Sequence, residues 1–327
     1  MPGIVELGTT FNLPNYIGEL FAVTPTDTPF LSSIGGLTGG DRTDSTLFQW
    51  QGFDLRDASA TRQRVEGANA PTGEARVRFN VTNVVEIHQE VVEISYTKQA
   101  ASGQYNSTGS AHPGSVGISG VNPVTDEMSW QVQQHLVQIA RDVEATFISG
   151  TFANPSTNAT PRRTRGILEA ITTNVIAAGG VALTKQMIRD LLHSVWANGG
   201  ISNTGTAALM CNGYQKMALT DIFITNSNYQ QLSGTIGGVA VEVIRTDFGT
   251  LNIMLNRHMP TDALAAVSLE QCAPTFMEIP GKGFLFEEDL AKTGASERKQ
   301  LYGEIGLKYG NEKTHGKIEG LDDGAGS

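Results

Sequence analysis

The chain contains no apolar run near the roughly 18 residues that a membrane-crossing helix requires. Its start, Met1-Pro2-Gly3-Ile4-Val5-Glu6, lacks the basic-then-apolar pattern of a secretory signal, so the expected compartment is the cytosol. Cysteine is scarce. Cys211 and Cys272 show no CxxC or metal-ligand spacing, so both are expected to be reduced, and a disulfide framework is excluded as the organiser of the fold. Positive charge is also in short supply: 23 Lys+Arg stand against 33 Asp+Glu, a net charge of −10. That balance argues against binding nucleic acid by phosphate neutralisation.

Signatures of chemistry are missing too. No HExxH, GxxxxGK[ST], GxSxG or helix-opening GxGxxG occurs, so the common metal, phosphate and nucleophile sites have no carrier. His88, His112, His135, His193, His258 and His315 are scattered, with no pair at ligand spacing. Asp247-Phe248-Gly249 mimics a kinase triplet, but no catalytic loop or glycine-rich phosphate lid accompanies it, so it reads as a hairpin turn. The expectation is a non-enzyme with no catalytic residue, cofactor or metal. An enzyme with a dispersed active site stays open as a remote alternative, since such sites are recognised by geometry.

What is present is a chain of 327 residues, longer than one core usually sustains, with 37 glycines. This length and turn-rich composition predict two lobes with extended arms. Residues 1–42 hold Pro2, Pro14, Pro25 and Pro29 and show no sustained period. They read as an arm whose apolar residues, among them Phe11, Tyr16, Phe21, Phe30 and Leu31, need covering by its own domain or by a neighbour. Leu47-Phe48-Gln49-Trp50 and the alternating Val77, Phe79 and Val81 then predict a long β-hairpin over Leu47 to Tyr96, with its tip near Pro71-Thr72-Gly73. An isolated ribbon of that length is marginal in water, so it is expected to lie on a neighbouring molecule.

Gln104 to Gly120 is a Gly/Ser/Asn/Thr connector. Asp126 to Ser149 is the clearest helix: Met128, Val132, Leu136, Ile139, Val143 and Phe147 recur every three or four residues, with Thr125 as N-cap and Gly150 as stop. Its rise gives a rod of roughly 36 Å. A second amphipathic helix spans Lys185 to Asn198, with Met187, Ile188, Leu191, Leu192, Val195 and Trp196 inward, and Thr184 capping it. Strands at Ala207 to Cys211, Val239 to Ile244, Leu251 to Leu255 and Leu264 to Val267, with a helix near Tyr214 to Phe223, complete an α+β domain. One further strand carries Leu301, Ile305 and Leu307, and Gly316 to Ser327 reads as a frayed tail.

At residue level the chain resembles the SU10-like major capsid family of tailed bacteriophages, with the Hong Kong 97-type fold. The resemblance rests on Thr28-Pro29-Phe30-Leu31-Ser32-Ser33-Ile34-Gly35, Gln49-Trp50, Glu66-Gly67, Arg78 to Asn80, Val92-Glu93-Ile94-Ser95-Tyr96-Thr97 and Arg141-Asp142-Val143-Glu144, in that order. It implies an α+β subunit with an N-terminal arm (1–42), an extended loop (43–97), a peripheral domain with connector and spine helix (98–170), an axial domain (171–279), and a return strand with C-terminal tail (280–327). Copies would form hexamers and pentamers of an icosahedral head around double-stranded DNA, assembled in the host cytoplasm, with separate scaffolding, portal and decoration proteins as possible partners and no membrane. The shell would enclose DNA without sequence-specific binding.

Arg62, Arg64 and Glu66 on the loop tip, Arg76 and Arg78 on its return, and the cluster Arg162, Arg163 and Arg165 are the candidate intersubunit contacts, the cluster through salt bridges to a neighbour. Residues 1–97 contain no lysine, so the covalent loop cross-link of some relatives is not expected here, and no charged helical leader suggests a built-in scaffold. Within structural proteins the alternative is an encapsulin-like nanocompartment shell. A phage tail tube or fibre fits poorly with two strong amphipathic helices.

Overall fold

The computed structural model describes residues 23–102, 126–201, 206–224, 231–236 and 239–324. In chain order the elements are helix α1 (Pro29–Ile34), strands β1 (Asp41–Thr43), β2 (Leu47–Phe53), β3 (Arg78–Val84) and β4 (Glu86–Ser95), and helices α2 (Tyr96–Ser102), α3 (Glu127–Ser149) and α4 (Ile167–Ala170). Then follow β5 (Val175–Ala177), α5 (Lys185–Ala197), β6 (Ala207–Cys211), α6 (Gly213–Ile224), β7 (Gln231–Ile236), β8 (Val239–Thr246), β9 (Gly249–Leu255), β10 (Leu264–Ser268), β11 (Ala273–Met277), β12 (Leu285–Asp289), β13 (Ser296–Lys308) and β14 (Gly316–Glu319). The described residues divide into two compact units: 23–26, 89–102, 126–139 and 287–302 belong to the first, and the remainder to the second.

In the first unit, Ser296 Oγ donates to Glu93 Oε1 at 2.8 Å and Gln89 Nε2 to Gln300 Oε1 at 2.8 Å, which ties β4 to the β13 strand it pairs with. Here the expected hairpin is corrected. The antiparallel ladder runs only from Leu47↔Val84 to Phe53↔Arg78, and the stretch after Val85 leaves the ribbon to pair with β13. Alternation alone marks a two-faced strand but does not name its partner. The N-cap is also corrected: Thr125 lies outside the described residues, and Asp126 does the capping, accepting Met128 N–H at 3.1 Å and Ser129 N–H at 3.3 Å. The connector Gln104 to Gly120 likewise lies outside the described residues.

In the second unit, the seven-stranded sheet has the order β5-β14-β10-β6-β9-β8-β7. Helices α5 and α6 cover one of its faces. Leu191, Leu192 and Val195 of α5 and Leu219 of α6 pack on Leu209, Ile253, Leu264 and Ile318, each side chain contributing roughly 1.5–3 kcal/mol by leaving water. Thr184 caps α5 by accepting Met187 N–H, as the sequence predicts. Trp196 does not point inward: it is 55% exposed, because Ile188, Leu191, Leu192 and Val195 already fill the buried stripe and the next residue turns about 100° away. The β8–β9 connection is a tight turn at Asp247-Phe248, with Thr246↔Gly249 closing it and Gly249 at φ 135°.

The expected frayed tail is overturned as well. Gly316–Glu319 is an interior strand, parallel to β5 and antiparallel to β10, with Ile318 fully buried. A side chain at Gly316 would collide with Leu191 and Val195, so this polar-looking segment is tolerated only because its glycine lets α5 approach. The arm up to Ala22 lies outside the described residues. Beyond it the chain packs on its own unit: Phe30 and Leu31 are buried in α1, and β1 adds to β11 in parallel.

Candidate assembly surface

The β2–β3 ribbon has a rooted end and a free end. At the root, Phe48 is buried and stacks on Trp50 with ring centroids 5.9 Å apart, and Trp50 meets Tyr309 edge-on at 4.9 Å. Trp50 Nε1 donates to Gly310 O at 2.7 Å, so the indole satisfies its one donor while burying its body. Across the ladder, Asn83 is fully buried and fully used. Its Nδ2 donates to Leu307 O (2.7 Å) and Arg165 O (3.1 Å), and its Oδ1 accepts Arg165 N–H (2.8 Å) and Val84 N–H (2.9 Å). Glu86 Oε2 accepts Thr164 N–H at 3.0 Å.

Those bonds draw the 151–165 loop against the root. Gly150 and Gly166 close that loop so tightly that a Cβ on either would meet backbone atoms within 3 Å, and Ala153 and Arg163 bridge antiparallel inside it. Arg162 pairs with Glu304 at 2.8 Å, both side chains largely covered. Arg165 lies over the Phe152 ring at 4.5 Å and donates to Tyr309 Oη at 3.2 Å. The salt bridge that the sequence assigns to a neighbour is thus made inside the chain at Arg162, because β13 brings Glu304 to it across 142 residues. Arg163 is exposed and has no side-chain partner among the described residues.

Every residue from Phe53 to Asn80 is exposed, and 54–77 has no regular structure beyond two turns, at Ala60-Thr61 and Glu66-Gly67. The second of them spans Val65 to Ala68, with Ala68 N–H donating to Val65 O and Gly67 at φ 77°, and it precedes the expected tip at Pro71-Thr72-Gly73, where no turn forms. Large apolar side chains stand in water along this end: Phe53 (68% exposed), Leu55, Val65 (79%), Val77 (72%) and Phe79. Phe79 lies over Gly52, its partner in register, where a Cβ would strike the ring. Arg62 and Arg76 both bind Glu74, and Arg78 donates to Gln51 at 3.3 Å. Arg64 and Glu66 carry no side-chain partner among the described residues.

Glu144, Asn83 and Glu74 escape sequence reasoning as key positions. Only Asp142-Val143-Glu144 gives a signal, an acid on the apolar stripe of a helix, which demands a partner. Both cysteines are free and buried, and desolvation pushes the Cys272 thiol far up, which makes it inert. Among the described residues no group of His, Cys, Asp and Glu could hold a metal ion, and no helix is long and apolar enough to cross a membrane.

Comparison with known proteins adds four relationships. The family model for the SU10 major capsid protein matches residues 3–322. The major capsid protein of Escherichia phage Phieco32 is 23% identical over 361 residues, covering 95% of this chain and 94% of its own. In shape, the capsid asymmetric unit of cyanophage A-1(L) aligns with a TM-score of 0.64 at 9% identity, over 96% of this chain and 98% of that one. The SrpI encapsulin of Synechococcus elongatus aligns with a TM-score of 0.57 at 11% identity, over 95% and 93%.

Proposed function

This chain belongs to the SU10 major capsid protein family, and from that premise we propose that its copies assemble into hexamers and pentamers of an icosahedral phage head enclosing double-stranded DNA. Its α+β fold is that of tailed-phage capsid subunits. The observation that carries the assembly reading is the free end of the β2–β3 ribbon. Phe53, Leu55, Val65, Val77 and Phe79 remain in water on a lone chain, and a second copy that covered them would recover their burial free energy.

Residues 43–97 are the proposed extended loop, residues 98–170 the peripheral domain, residues 171–279 the axial domain, and residues 280–327 the return strand and tail, following the arm of residues 1–42. Head-to-tail contacts of this kind close into rings, and permanent ones bury about 2,000 Å² or more. Arg64, Glu66 and Arg163 are the foremost intersubunit contacts, since Arg62, Arg76, Arg78, Arg162 and Arg165 have partners in the same chain. The net charge of −10 suits a shell that surrounds DNA without gripping its sequence. Its work is structural, its site of assembly the host cytoplasm, and separate scaffolding, portal and decoration proteins are the candidate partners beyond itself.

The test is negative-stain microscopy with size-exclusion chromatography on the protein expressed alone and with its neighbouring genes. Closed shells, or rings of six and five, are expected. A stable monomer under both conditions would overturn the reading.

A further inference from the structure

Residues 54–77 of the ribbon end run out through Arg62, turn at Val65 to Ala68, and return through Glu74 and Arg76. Glu74 Oε1 accepts Arg62 Nη2 at 2.8 Å, and its Oε2 accepts Arg76 Nη2 at 3.2 Å. The first of these bonds joins the outgoing limb to the returning limb across 12 residues. The other hydrogen bonds within this stretch are local: Arg56 to Asp57, Ser59 with Thr61, and Ala68 to Val65. Beyond the last ladder pair, Phe53↔Arg78, the Glu74 carboxylate is therefore the bond that spans the two limbs among the described residues.

We propose that Glu74 is a positioning residue for assembly: by clasping Arg62 and Arg76 it holds the ribbon end in the shape that a second copy of this chain receives. The proposal rests on the assembly reading above. A carboxylate is suited to the task because each oxygen takes one guanidinium, whereas an amide of the same shape offers one acceptor and a donor that faces an arginine. The Arg62 bond, then the Arg76 bond, pull the Glu74 carboxyl below its ordinary range, so it stays ionised in mild acid.

The clasp acts on the loop and not on the fold. All three side chains are about half exposed, and ion pairs of that kind add little to folding. Docking responds differently. A partner that accepts one loop conformation binds with an affinity reduced by the fraction of loops that hold it, so halving that fraction doubles the concentration needed. The clasp also divides the 24-residue loop, leaving residues 63–73 as a small closed tip in place of a long open one.

The test compares wild type, Glu74→Gln and the swap Arg62→Glu with Glu74→Arg, each as the full chain, by light scattering against protein concentration with particles checked by microscopy. Glu74→Gln is expected to raise the concentration at which shells appear by roughly two- to five-fold, and to flatten the dependence of that concentration on salt. The swap, which restores an opposite-charge pair across the limbs, is expected to return most of the loss. Melting temperatures of the unassembled variants should match wild type. Shells from Glu74→Gln at the wild-type concentration, or a melting temperature that falls in step with assembly, would overturn the clasp. Absence of wild-type particles under every condition would overturn the assembly reading, and the clasp with it.

Discussion

The carboxylate of Glu144, in the C-terminal part of α3, accepts the backbone N–H of Leu31 at 2.6 Å and that of Phe30 at 2.9 Å, across more than 110 residues of chain. Thr28 makes no side-chain cap on the short helix α1, so a distant acid satisfies the first free N–H groups of that helix. Asn256 Nδ2 donates to the same carboxylate. A fully buried acid is affordable here only because three donors converge on it.

Glu144→Ala should therefore leave three buried donors unpaired and cost roughly 3 kcal/mol of stability, read by chemical denaturation. Burial raises the Glu144 pKa above its ordinary value, against the opposing pull of the Leu31 and Phe30 N–H groups. A carboxyl that binds its proton more tightly when folded contributes most stability in acid and loses that contribution as pH rises through the folded pKa. Wild type should accordingly gain on Glu144→Gln as pH falls toward 4.5. A stability gap that stays constant with pH would count against this account.

His315 is fully buried, with Nδ1 accepting Ser268 N–H at 3.1 Å and Nε2 donating to Tyr309 O at 2.7 Å. Desolvation pushes its pKa down from 6.5 to about 4. The unfolded chain then takes up a proton below 6.5 that the folded chain refuses until about 4, so stability falls as pH drops through that window, by about 3 kcal/mol in all. Denaturation at pH 7 and pH 4.5 should show a steeper loss for wild type than for His315→Gln. Equal losses would place the titration elsewhere.

Asn83 ties the ribbon root to β13 and to the 151–165 loop through four hydrogen bonds. Asn83→Ala should cost roughly 3 kcal/mol, because it strands the buried Leu307 carbonyl and Val84 N–H together with the part-buried carbonyl and N–H of Arg165. Hydrogen exchange should quicken first at Val84 and Arg165. Uniform loss of protection across the unit, with no local lead, would contradict a root-specific role.

The Thr275 hydroxyl is buried and has no hydrogen-bond partner among the described residues, although its methyl group and backbone serve β11. Thr275→Val keeps the shape and removes the orphan, so it should stabilise the chain by about 1 kcal/mol. A lower melting temperature would mean that the hydroxyl is satisfied in solution.

Local pattern carried far. The apolar stripe of α3, the Thr184 cap, the Asp247-Phe248 turn and the alternation of β13 were all legible, because each is set by neighbours within a few residues. Order of motifs carried the family. The ribbon misled where partner choice mattered: Glu86–Ser95 alternates as a hairpin strand would, yet it pairs with β13 from more than 200 residues away.

The sequence by itself determined the periods, caps and turns of this chain and the absence of common catalytic motifs, since these follow from side-chain spacing along the backbone. Only the tertiary structure decided that Gly316–Glu319 is an interior strand, that Arg162 spends its charge on Glu304, and that Glu144 caps α1. Those outcomes depend on which buried polar groups meet in space. A buried group must find a partner, but nothing in its own neighbourhood says how far along the chain that partner lies.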